Sequence, residues 1–150
     1  MGIVIGAAQL ARRKGGTSHR ALGYPFAGGM VLADASALTI LQFTGGFNIL
    51  HAGTIMNLAC IAAATRPLVR RPRPANWIAV HYCWISGAYV GLIAAAAAEF
   101  VVCVVPFATK GQVWAATGIT AAVITTVGSL LIARYHPRSP DASDELPGTA

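Results

Sequence analysis

Five apolar blocks run along the chain, separated by short islands of basic and turn-forming residues. The first, Met1–Ala11, stretches about 16 Å as a helix, roughly half the hydrocarbon thickness of a bilayer. The basic island Arg12-Arg13-Lys14 stops it. It is expected either to pack as a half-height helix or to be the end of a helix that begins further upstream. The second block, about Leu22–Phe43, is long enough to span, with Thr17 and Ser18 placed to cap its start. Pro25 is benign there only if it falls in a first turn. The turn Thr44-Gly45-Gly46 leads into the third block, about Phe47–Thr65, which ends at Pro67 among Arg66, Arg70, Arg71 and Arg73. The fourth runs from about Trp77 to Val105 and is closed by Pro106, and the fifth, about Val113–Ala133, ends at Arg134 and Pro137. The pattern predicts an all-α membrane protein, a bundle of four full transmembrane helices plus a short N-terminal helical segment. The helical domain covers residues 1–138, and a Pro-, Ser- and acid-containing tail, residues 139–150, is expected to be disordered and cytoplasmic.

Composition sharpens this picture. Hydrophobic residues make up 55% of the chain and charged ones 11%. A soluble domain carries about 25% charged residues, so a water-exposed globule is excluded for want of polar surface. A net charge of +6 would point to nucleic acid in a soluble protein; in a multi-pass protein the positive-inside rule accounts for it. Arg12, Arg13, Lys14 and Arg20 share one loop, Arg66, Arg70, Arg71 and Arg73 the loop two helices later, and Arg134 and Arg138 follow the last helix. Only Lys110 falls on the other side, so the basic loops and the C-terminus are expected in the cytoplasm. Tyr24, Trp77 and Tyr135 would then mark the inner interface, and Phe43, Phe47, Phe107 and Trp114 the outer one. Cys60, Cys83 and Cys103 lie inside apolar blocks without CxxC spacing and read as small core residues, not as a disulfide or zinc set. No basic residue precedes the apolar start, so a cleavable signal peptide is not expected. On the fourth helix Gly87 and Gly91 form a GxxxG step, and Ala94–Ala98 extend a small-residue surface suited to close helix contact in lipid.

Two stretches carry a family resemblance. The first, His19-Arg20-Ala21-Leu22-Gly23-Tyr24, follows a basic island and opens a helix. The second is the run His81-Tyr82-Cys83-Trp84-Ile85-Ser86-Gly87-Ala88-Tyr89-Val90-Gly91-Leu92-Ile93-Ala94-Ala95, ending at Glu99. Together they resemble a bacterial family of predicted membrane proteins known as domain of unknown function 2306. The resemblance implies a small multi-pass helical bundle in the inner (cell) membrane. It implies no activity.

Ionisable residues inside a membrane are candidates for function, because an unpaired charge in hydrocarbon is costly. Measured from the inner helix ends at about 1.5 Å per residue, Asp34 and His51 both lie roughly 20 Å up. They form a candidate polar pair on antiparallel neighbours, with Asn48 and Asn57 flanking His51. His81 lies near the level at which His19 and Arg20 enter, and Glu99 is five helical turns further along the stripe of His81, Trp84, Ala88 and Leu92. That stripe is expected to face the bundle interior, with Glu99 near the outer surface.

Three readings follow from these residues. His19 and His81, with His136 in reserve and Arg20 against a propionate, could hold one haem b at the inner leaflet. Asp34 and His51 as a relay, with Glu99 as an outer gate and His81 as an inner one, would suit a proton- or ion-coupled carrier, although the chain shows no inverted repeat. A non-enzymatic bundle, an accessory subunit or lipid- or small-ligand-binding protein, would use the same groups for structure and for headgroup contacts. Ser36, Ser86 and Ser129 lack a G-x-S-x-G context, and the P-loop and dinucleotide glycine patterns are absent. No metal site is expected. The expected partner is the lipid bilayer and not nucleic acid, and a homo-oligomer or larger membrane complex is compatible with the sequence.

Overall fold

In the computed structural model, residues 2–11, 16–39, 45–47 and 49–137 are described. Arg12, Arg13, Lys14, Phe43, Thr44, Asn48, Arg138 and the 139–150 tail lie outside the described residues. Among the described residues five helices follow one another: α1 (Gly2–Ala11), α2 (Thr17–Leu38), α3 (Ile49–Val69), α4 (Trp77–Val104) and α5 (Lys110–Arg134). Three of them, α3, α4 and α5, are long and apolar enough to cross a membrane. At 22 residues α2 has comparable length, but Thr17, Ser18, His19, Arg20 and Asp34 lower its apolar content.

Helix ends differ from the expected ones where local chemistry was misjudged. Gly16 is the residue before α2, so Thr17 and Ser18 are its first turn and not its caps. Pro25 consequently sits inside the helix. Pro67, expected to end α3, also lies within it, and the helix continues to Val69. The α5 start comes earlier than expected because Thr109 and Gln112 form a reciprocal capping box. Gln112 Nα–H donates to Thr109 Oγ1 at 3.3 Å, and Gln112 Oε1 accepts from the Thr109 amide at 3.2 Å. This arrangement satisfies two of the helix start's otherwise unpaired donors.

Successive helices pack side by side, α2 on α3, α3 on α4 and α4 on α5, while α1 lies across α2 and α4. Among the described residues α5 packs only against α4 and forms one edge of the bundle. Phe26 and Met30 of α2, Ile61 of α3, and Ala88 and Tyr89 of α4 make the core, with Cys60 packed beside it. Cys83 is half-buried, whereas Cys103 is exposed on α4, against the expectation that all three cysteines fill the core. Large apolar side chains such as Leu32, Met56, Ile119 and Leu130 are exposed, as they are when the surrounding solvent is hydrocarbon.

Candidate functional site

Polar groups inside the bundle gather on the seam where α2, α3 and α4 meet. Asn57 Nδ2 donates to Asp34 Oδ2 at 2.8 Å. The expected partner was His51, and the correction is rotational. Asn57, Ile61 and Ala64 follow one another at helical spacing, and Ile61 and Ala64 are buried. His51 is six residues before Asn57, about 120° away around the helix. It is buried in its own right, 4% exposed, with its ring 5.3 Å from that of Phe47.

The same asparagine explains half of the GxxxG step. A Cβ added at Gly91 would stand 3.3 Å from Asn57 Oδ1, so the missing side chain admits the amide between α3 and α4. Gly87 faces open space and makes no such approach. Two turns further along α3, His81 Nδ1–H donates to the Ala64 carbonyl at 2.9 Å. This bond fixes the imidazole tautomer with the lone pair on Nε2.

Two bonds tie α1 down. Tyr89 Oη donates to the Ile3 carbonyl at 2.9 Å, and Gln9 Nε2 donates to the His19 carbonyl at 2.8 Å. Gly6 lies against the Tyr89 ring, which no side chain at that position could do. The Phe26 ring completes the contact, 6.1 Å from Tyr89. Sequence reasoning assigned Gln9 and Tyr89 no role. A polar Gln9 and a small Gly6 in an otherwise apolar segment were the available signals.

The remaining sequence candidates are more dispersed. Arg20 is exposed, and His136 is exposed with its ring edge-on to Tyr82 at 6.3 Å. The α4 stripe is interior only in its middle: Ala88 is fully buried, but Trp84 is 44% exposed and Glu99 is exposed. On the basic end, the Arg73 guanidinium lies 5.0 Å over the Trp77 ring, a cation–π contact at the start of α4.

A groove of about 720 Å³ lies between α4 and α5, open along one side. Tyr82 and Tyr135 flank its basic end, and Ile93 and Val123 its far end. From Tyr82 to Ile93 it runs about 16 Å along α4. Gly128 sets its depth: an added Cβ there would lie 2.5 Å from Val90 Cγ1, so glycine allows α5 to close on α4. Ser86 lines the groove, is 5% exposed, and its Oγ has no hydrogen-bond partner among the described residues. The hydroxyls of Ser36, Thr54, Thr65 and Thr125 all donate to carbonyls one turn back on their own helices, the usual solution in an apolar solvent.

The run that carried the resemblance is thus the hub of the bundle, with His81 and Gly91 engaging α3, Tyr89 engaging α1 and Val90 meeting Gly128 of α5. A family model described as predicted membrane protein (DUF2306) matches residues 1–136. No curated protein and no solved structure matches the chain.

Proposed function

The chain belongs to this family of predicted membrane proteins, and from that premise we propose that it is a non-enzymatic, four-span bundle that binds a lipid-like ligand in the groove between α4 and α5. In this reading α2 is the fourth span, with α1 as a half-height helix beside it. The basic loops and the C-terminus face the cytoplasm of a bacterial cell, as the distribution of Lys and Arg requires. The observation that carries the reading is the groove itself. Its volume of about 720 Å³ falls within the usual range for small-molecule sites, roughly 300–1,000 Å³. Its walls are mostly apolar, with a few hydroxyls at one end.

The polar seam supports a structural role for the intramembrane groups. Asp34 bonds to an amide that does not titrate, which ties α2 to α3 and does not continue a proton path. Glu99 is exposed, away from that seam. Of the haem candidates, His81 is held to the Ala64 carbonyl through Nδ1, His19 lies half-buried in the first turn of α2, and His136, the reserve, stands edge-on to Tyr82.

The test is displacement of an apolar fluorescent fatty-acid probe from the purified protein in detergent. Val127, 51% exposed on the groove wall, is replaced by tryptophan to fill the groove, and Ile119→Trp serves as the lipid-facing control. Loss of saturable probe binding in Val127→Trp but not in Ile119→Trp is the expected result. Equal binding by both variants and the parent protein would refute the reading.

A further inference from the structure

Ser86 is the polar group that the bundle leaves unsatisfied inside its own groove. A buried hydroxyl without a partner is unfavourable, and the other helical hydroxyls named above return their protons to the backbone. Ser86 Oγ does not, although it sits in the same kind of helix. Its position along the groove is informative. It is four residues, about 6 Å, deeper than Tyr82, which together with Tyr135 marks the basic end. The headgroup region of a bilayer leaflet is about 5–8 Å thick. A phosphate held at the tyrosine level would therefore bring the glycerol esters of the same lipid to the level of Ser86. Beyond Ser86 the groove is walled by Val90, Ile93, Ile124 and Val127. From Ser86 to Ile93 this apolar stretch runs about 10 Å, roughly two thirds of the hydrocarbon depth of one leaflet.

Charge decides the headgroup. Arg134 ends α5 beside Tyr135, and Arg66, Arg70, Arg71 and Arg73 lie at the same end of the bundle, because α3 finishes and α4 begins there. Among these basic groups a phosphate without a compensating cation is favoured.

We infer that the α4–α5 groove holds one acyl chain of an ester-linked anionic glycerophospholipid from the basic-side leaflet, with Ser86 Oγ donating to an ester carbonyl and the phosphate beside Arg134. The inference rests on the ligand-binding reading of the groove and adds the ligand's class and orientation.

Native mass spectrometry of the detergent-solubilised protein tests it with three lipids of equal chain length. These are diacyl phosphatidylglycerol, its dialkyl-ether analogue, which lacks the carbonyls, and diacyl phosphatidylcholine. The diacyl anionic lipid should bind about threefold more tightly than the ether, the ratio expected for one intramembrane hydrogen bond. Ser86→Ala, which removes the hydroxyl without adding bulk, should erase that ratio. Arg134→Gln should narrow the preference for phosphatidylglycerol over phosphatidylcholine by about fivefold. Equal ester and ether binding by the parent protein, a ratio that survives Ser86→Ala, or no headgroup preference would each overturn the inference. If Val127→Trp nevertheless lowers binding of all three lipids, the groove remains a binding site and only the ligand assignment fails. If Val127→Trp leaves all three unchanged, the groove reading beneath it fails as well.

Discussion

Replacing Gly128 by alanine would put a methyl group where Val90 already stands. The new Cβ would lie 2.5 Å from Val90 Cγ1, 2.6 Å from Cγ2 and 3.1 Å from Cβ. Carbon atoms pack comfortably at about 3.5–4.0 Å, so roughly an ångström of separation is missing. Val90 cannot swing aside cheaply, since a β-branched side chain in a helix has one strongly preferred rotamer. The strain must move α5 away from α4, the only helix it packs on among the described residues. Overpacking of this kind costs about 1–3 kcal/mol. Gly118→Ala on the same helix is the control, because its Cβ would meet nothing within 4 Å; comparing the two cancels the helix-propensity change. Val90→Ala should rescue Gly128→Ala, since it removes the two closest atoms and leaves only the 3.1 Å approach. The assay is unfolding in mixed detergent micelles titrated with dodecyl sulfate, followed by tryptophan fluorescence. Gly128→Ala should lose about 1–3 kcal/mol relative to Gly118→Ala. The double variant should exceed the sum of its parts by at least about 1 kcal/mol, within the range of coupling between touching residues. Equal stability of the two alanine variants, or no coupling with Val90, would refute the packing argument.

Three other outcomes can be checked independently. A double-mutant cycle on Asp34→Leu and Asn57→Leu should give a coupling of about 0.6 kcal/mol, the average for intramembrane hydrogen bonds, whereas a cycle with His51→Leu should give close to none. Tyr89→Phe frees the Ile3 carbonyl, and hydrogen exchange over residues 2–11 should accelerate while exchange in α4 and α5 stays as it was; unchanged exchange in α1 would show that the bond does not hold it. A topology reporter fused after Pro137 should read cytoplasmic and one near Lys110 external; the reverse at either site contradicts the charge argument.

The helical membrane character was legible from the chain alone, because a bilayer imposes its thickness and dryness on every spanning segment. Blocks of apolar residues between basic islands have few other physical explanations. The fourth helix was recovered almost to the residue, with Trp77 opening it and Pro106 following it. Boundaries failed where a local interaction competed with the hydropathy pattern. The T-x-x-Q capping signal at Thr109 was present but unused, and Pro25 and Pro67 proved compatible with helix interiors. Whether a side chain is costly in the membrane can be read from its type, which is why Asp34, His51 and His81 call for an account. Which partner each finds depends on the rotation and sliding of one helix against another. Hydropathy carries little of that information when apolar residues surround a helix on every side. Only tertiary packing selected Asn57 over His51 for Asp34, gave Gly91 a neighbour and left Gly87 in open space. The same packing closed α5 onto α4 at Gly128 and enclosed Ser86 in the groove between them. These outcomes depend on contacts of a few ångströms between residues far apart in the chain, and the one-dimensional pattern of apolar and polar positions does not encode them.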